Sequence, residues 1–217
     1  MKTKATLLLL ALAGTFSLAN AQAITGDVKA GEKKNAMCIG CHGIPGYRSS
    51  FPQVHNVPMI SGQNAKYIAA ALEGYRKGER KHPSMRGVAG SLTDQDIADL
   101  SAFYESHGKV VNAPAVPAQA DLPAAIKDKL AACTACHGVN FNNTTDPANP
   151  RLAGQHADYL AVALKAYQTG GSSVVGRGNA TMVAMAKPLT DAEIKQIAAF
   201  LGGLPGELKT IPQSKFR

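Results

Sequence analysis

The chain has 217 residues, 45% of them hydrophobic, and 23 lysines and arginines against 15 acidic residues, for a formal net charge of +8. That length and apolar content give enough material for the cores of one large or two small domains. The positive excess is shared almost evenly between the two halves and forms no basic stripe, which speaks against a nucleic-acid interface and leaves a mild field suited to acidic protein partners.

Residues 1–21 read as a secretory signal peptide. Lys2 and Lys4 precede an apolar run from Ala5 to Leu18, and Ala19-Asn20-Ala21 places small residues at the cleavage spacing before Gln22. A retained membrane anchor is the weaker alternative, because the run falls short of the ~20 residues a spanning helix needs. No later stretch is long and apolar enough to cross a membrane, so the mature protein is expected to be soluble and exported.

A first unit, residues 22–107, opens with a short helix from about Val28 that leads into Cys38-Ile39-Gly40-Cys41-His42. A middle helix from about Ala65 to Lys77 puts Tyr67, Ile68, Ala71, Leu72 and Tyr75 on one face. The last helix starts at a capping box, Thr93 with Asp96, and turns Ile97, Leu100 and Phe103 inward. Residues 108–123, rich in proline and alanine, suit an extended linker.

A second unit, residues 124–217, repeats the first. Cys133-Thr134-Ala135-Cys136-His137 follows a short helix from about Ala124. Pro150-Arg151-Leu152-Ala153-Gly154-Gln155 answers Pro58-Met59-Ile60-Ser61-Gly62-Gln63. A helix from about Ala157 to Gln168 carries Tyr159, Leu160, Ala163, Leu164 and Tyr167, and Thr190 with Glu193 caps a final helix whose Ile194, Ile197 and Phe200 face inward. The fold class is therefore all-α, with two tandem helical domains from a duplication.

Cys-x-x-Cys-His is the attachment signature for c-type haem. Two thiols three positions apart near a helix end can each add to one vinyl group, and the next imidazole then sits beneath the iron. Cys38, Cys41, Cys133 and Cys136 are thus the expected attachment points of two covalent haems, with His42 and His137 as proximal ligands. The cofactors would also supply bulk to a chain that has no tryptophan. A pair of redox disulfides would want a βαβ context, and a four-cysteine zinc site would leave both histidines and the repeat without a purpose.

Each iron needs a second axial ligand. Met85 and Met182 stand at equivalent places ahead of the final helices, and His/Met coordination is a known arrangement that raises the reduction potential. His82 is the rival for the first iron. Met37, Met59 and Met185 are read as core filler, and His55, His107 and His156 as solvent-facing or hydrogen-bonded. The carbonyls of Pro58 and Pro150 are placed to accept Nδ1–H from His42 and His137. Tyr67, Tyr75, Tyr159 and Tyr167 fit ordinary core and a haem edge equally well.

With both haem motifs, the two Pro-x-[Ile/Leu]-x-Gly-Gln segments, Met85, Met182 and the Leu-Thr-Asp helix starts, the mature chain resembles throughout the two-domain, two-haem cytochromes c of the cytochrome c4 type. The resemblance implies one haem wrapped in each domain, the haems near each other, and periplasmic one-electron transfer in a respiratory chain. It further implies an upstream quinol-oxidising complex, donation to a membrane-bound terminal oxidase, and peripheral membrane association. Such proteins are often charge-dipolar, whereas the halves here are balanced. With both axial positions filled, an electron carrier is expected and no enzyme. The alternatives are a cytochrome subunit of a dehydrogenase complex and, less favoured, a two-haem peroxidase.

Overall fold

The structure is a computed structural model that describes residues 24–108, 120–171 and 174–212. Residues 1–21, read as a signal peptide, and most of the expected linker lie outside the described residues. The first unit contains α1 (Val28–Lys34), α2 (Ala36–His42), β1 (Arg48–Ser49), β2 (His55–Asn56), α3 (Ala65–Lys77), β3 (Arg80–Lys81), α4 (Pro83–Gly90) and α5 (Asp94–Ser106). The second contains a 3-10 turn at Ala124–Ile126, then α6 (Lys127–His137), α7 (Ala157–Thr169), β4 (Gly176–Arg177), α8 (Ala180–Ala186) and α9 (Asp191–Gly203). The all-α expectation holds, with two short antiparallel ladders added: β1 with β2, and β3 with β4.

Local signals set the helix starts. Both capping boxes form reciprocally, Thr93 with Asp96 on α5 and Thr190 with Glu193 on α9. In each, the threonine oxygen takes a free N–H of the first turn and the carboxylate returns to the cap. The carboxylate of Glu105 in α5 accepts the Ala65 N–H at 2.8 Å, placing a negative group at the start of α3.

In the first unit α1 crosses α5, and α3 packs on α4 and α5. The crossing is close because Gly31 sits there: a Cβ would lie 2.2 Å from the Asp99 carbonyl oxygen. Ile68, Leu100, Phe103 and Tyr104 form the buried core, with Cys38 packed against it. The second unit packs α7 on α8 and α9 around Ile126, Leu130, Phe141, Leu160, Ile197 and Leu201. Phe200 is half-buried, its ring 6.1 Å from that of Phe141 in an edge contact.

Two boundaries differ from the sequence reading. Ala120, placed in the linker, is buried in the second core, and its N–H donates to the Val139 carbonyl at 3.0 Å. Residues 204–212, assigned wholly to the second unit, reach back to the first: Lys209 N–H donates to the Ser61 carbonyl at 3.0 Å. Both segments lack helical periodicity, so their packing is a long-range choice that a local pattern does not carry. Among the described residues no helix is long and apolar enough to cross a membrane.

Candidate functional site

Each Cys-x-x-Cys-His motif occupies the end of a helix, α2 in the first unit and α6 in the second. On a helix, positions i and i+3 lie on one face, so Cys38 and Cys41 point the same way, as do Cys133 and Cys136. All four thiols are free, and no group of three or more His, Cys, Asp or Glu side chains among the described residues converges on a metal position. Burial pushes the Cys38 thiol up to about 11, with the Tyr104 hydroxyl opposing it. Cys136, by contrast, is exposed.

The histidines are held alike. His42 Nδ1 lies 2.8 Å from the Pro58 carbonyl oxygen, and His137 Nδ1 lies 2.9 Å from that of Pro150. A carbonyl can only accept, so Nδ1 carries the proton in both rings and Nε2 keeps its lone pair. Burial lowers the pKa of each imidazole, and the bond to the proline carbonyl opposes it. Both rings are thus neutral near pH 7, which a metal-binding imidazole requires. The donor set of each half fits haem c: two thiols one turn apart and a neutral imidazole whose other nitrogen is already bonded.

Met85 and Met182 occupy the same place, the third residue of α4 and of α8. The Met85 N–H donates to His82 Nδ1 at 3.4 Å, and the Met182 N–H donates to Asn179 Oδ1 at 3.0 Å. His82 and Asn179 are therefore matched N-caps, and Pro83 follows His82 at the position where a missing N–H is tolerated. Met37 is 54% exposed and Met185 36% exposed, so neither is the core filler expected of it. Both lie on faces of short helices that are turned to solvent, Met37 on α2 and Met185 on α8.

His55 is buried with Nδ1 2.8 Å from the Gln53 carbonyl, and His107 Nδ1 lies 2.9 Å from Ser61 Oγ. His156 precedes α7 as its N-cap. The rings of His55 and His107 are thus hydrogen-bonded as expected, whereas His156 caps α7 through its backbone, with no side-chain capping bond.

The four tyrosines reveal residues that the sequence reading missed. Arg80 lies over the rings of Tyr67 and Tyr75, 5.6 and 4.9 Å from their centroids; Arg177 lies 5.4 Å from those of both Tyr159 and Tyr167. Each guanidinium also donates to a tyrosine hydroxyl, Tyr67 or Tyr159. The two arginines are paired residues of the β3–β4 ladder, so the clusters meet where the units join. Arg177 is 8% exposed, Nε of Arg80 is buried without a hydrogen-bond partner, and neither arginine forms an ion pair among the described residues. A buried guanidinium without a counter-charge is costly, so a ligand that brings carboxylates fits here. The signal was present in the sequence: Arg80 and Arg177 stand five residues before Met85 and Met182.

The units are tied by further reciprocal bonds. Gln63 spans the backbone of Arg151, accepting its N–H at 2.8 Å and donating to its carbonyl at 3.0 Å. Gln155 spans Met59 in the same way, at 3.0 and 2.9 Å. Gly62 and Gly154, with φ of +84° and +76°, make the turns that aim these side chains. The Asp158 carboxylate accepts both the backbone N–H and the side-chain amide of Asn56, each at 2.8 Å.

The cytochrome c family pattern matches this chain twice, over residues 28–107 and 125–205. Cytochrome c4 of Azotobacter vinelandii is 34% identical over 215 residues, covering 93% of this chain and 99% of that one. The thiosulfate dehydrogenase electron acceptor of Stutzerimonas stutzeri (strain A1501) is 28% identical over 208 residues, covering 89% and 94%. Among solved structures, reduced recombinant cytochrome c4 from Pseudomonas stutzeri matches with a TM-score of 0.62 and 28% identity, over 83% of this chain and 100% of that one.

Proposed function

The chain belongs to the cytochrome c family, as a two-haem electron carrier of the cytochrome c4 type and not an enzyme, and from that premise we propose that it shuttles electrons in the periplasm between a quinol-oxidising complex and a membrane-bound terminal oxidase. Each haem, when bound, supplies a ferric/ferrous couple that takes up and gives back one electron. The rest falls to side chains. Cys38 and Cys41, with Cys133 and Cys136, hold the two groups by thioether bonds, so that neither is lost from an exported protein. His42 and His137 would hold iron through Nε2, and Met85 and Met182 would supply the second protein ligand of each. Arg80 and Arg177 offer cationic donors to the haem carboxylates.

The observation that carries this reading is the matched pair of proximal sites, with each imidazole fixed by the same bond to a proline carbonyl. That bond holds the ring orientation in both oxidation states and strengthens the nitrogen donor. Export is supported by the composition of residues 1–21.

The test is a mass and a pyridine spectrum of the purified protein. They should give two haems c on the processed chain, and a weak near-infrared sulfur-to-iron band should appear on oxidation. Cys136→Ala should leave the second haem weakly attached or absent; two full covalent haems in that variant would contradict the attachment scheme.

A second reading places a soluble dehydrogenase upstream, and the resemblance to a thiosulfate dehydrogenase electron acceptor favours it. Reduction of the oxidised protein by a thiosulfate dehydrogenase, compared with reduction by quinol-oxidising membranes, separates the two.

A further inference from the structure

Gln63 and Gln155 are each 3% exposed and stand at the same place in the two repeats. Their partners are more telling than their burial. The peptide unit joining Pro58 to Met59 is bonded at both ends: its carbonyl accepts Nδ1–H of His42 at 2.8 Å, and its N–H donates to Oε1 of Gln155 at 3.0 Å. The unit joining Pro150 to Arg151 does the same, between His137 at 2.9 Å and Oε1 of Gln63 at 2.8 Å. In both cases the group on the N–H side comes from the other domain.

The amide orientations are fixed by the network. Nε2 of each glutamine donates to the carbonyl of the residue it spans, and Oε1 also receives an N–H from its own domain, that of Asn64 or His156, at 3.0 Å. A flipped amide would set donors against donors. Hydrogen bonds in a chain polarise one another. An acceptor on the peptide N–H moves electron density onto its carbonyl oxygen, which then draws harder on the imidazole proton. That makes Nε2 the stronger donor, and a stronger donor favours ferric iron.

We propose that Gln155 tunes the imidazole of His42 and Gln63 that of His137, each through a single peptide unit, so that each domain carries a positioning residue for the other's iron. This rests on His42 and His137 being the iron ligands assigned above. It goes further, because it predicts a crossed dependence between halves that a docking role alone does not give.

The experiment is a redox titration of the holoprotein that reads the two haems separately, from the axial-methionine methyl resonances assigned with a Met182→His protein. Gln155→Leu should shift the reduction equilibrium of the first domain's iron toward ferrous by about threefold, or roughly 28 mV at 59 mV per decade. The second domain's iron should stay where it was. Gln63→Leu should do the reverse. Equal shifts in both irons, a shift confined to the mutated residue's own domain, or no shift in either would overturn the proposal. If Gln155→Leu loosens the domains, Gln155→Glu serves instead: it keeps an oxygen on the Met59 N–H while losing the Nε2 bond. The first iron should then remain at or below its wild-type potential, and a rise would count against the idea. A wild-type spectrum without His/Met bands would instead defeat the ligand assignment on which the idea rests.

Discussion

At His82 both ring nitrogens are engaged. Nδ1 accepts the Met85 N–H, and Nε2 lies 3.3 Å from Ser49 Oγ. Burial lowers its pKa, and the nearby His55, Arg177 and His42 lower it further, so the ring is neutral and suited to accept at the cap. A ring spent in this way is a poor rival to Met85 for the iron. His82→Asn keeps a capping oxygen, as Asn179 does in the second unit. It should leave the low-spin spectrum intact and change stability by no more than about 1 kcal/mol; loss of the low-spin bands on optical titration would restore His82 as a ligand. Met182→His should keep the second haem low-spin and lower its potential in a redox titration, since imidazole favours ferric iron more than thioether does.

At the scale of elements, Asp99 joins α1 to α5. Its buried carboxylate accepts the Asp27 N–H at 2.8 Å, Lys34 Nζ at 2.6 Å and Gln95 Nε2 at 2.8 Å. Burial alone would raise its pKa, but these three donors outweigh it and hold the carboxyl below the usual range. The unfolded chain therefore binds this proton more readily than the folded one. The stability gained is present above about pH 4 and is lost as the pH falls through the lowered native value. The matching residue in α9 is Gln196, which does not titrate. The first domain should therefore unfold before the second on acidification, followed by circular dichroism and haem absorbance, and Asp99→Asn should cost it about 2 kcal/mol near neutral pH. Much at this scale was legible from periodicity and caps: α3 spans Ala65–Lys77 as read, and both capping boxes formed. The division of the first leading helix into α1 and α2 at Asn35 was not, because one asparagine is a weak breaker and its burial is a tertiary choice. The β3–β4 ladder escaped too, since two-residue strands have no period to detect. The site divides along the same line. The cysteine, histidine and methionine candidates stand out by chemistry, spacing and repeat position, whereas Arg80 and Arg177 acquire meaning only when the domains bring them together.

For the whole molecule, residues 204–212 act as a strap. Leu208 is 5% exposed, Lys209 bonds to Ser61, Glu207 accepts an ion pair from Arg151, and the Ile211 carbonyl approaches Gly43 beside the first haem motif. A chain ending at Pro205 should lose the burial of Leu208, worth about 2 kcal/mol, together with that backbone bond. The expected result is a lower calorimetric midpoint with an unchanged haem spectrum; an unchanged midpoint would show that the strap contributes nothing to docking.

The contact in which Gln63 grips Arg151 while Gln155 grips Met59 has one more consequence. The two grips are reciprocal, each glutamine holding the residue that follows the other unit's proline, as contacts are across the isologous interface of a homodimer. A self-complementary patch of this kind needs no tether in order to form. Halves of this protein made as separate polypeptides, each with its own haem, should find each other again in solution, and a single-domain ancestor could have paired with its own copy before duplication joined the two in one chain.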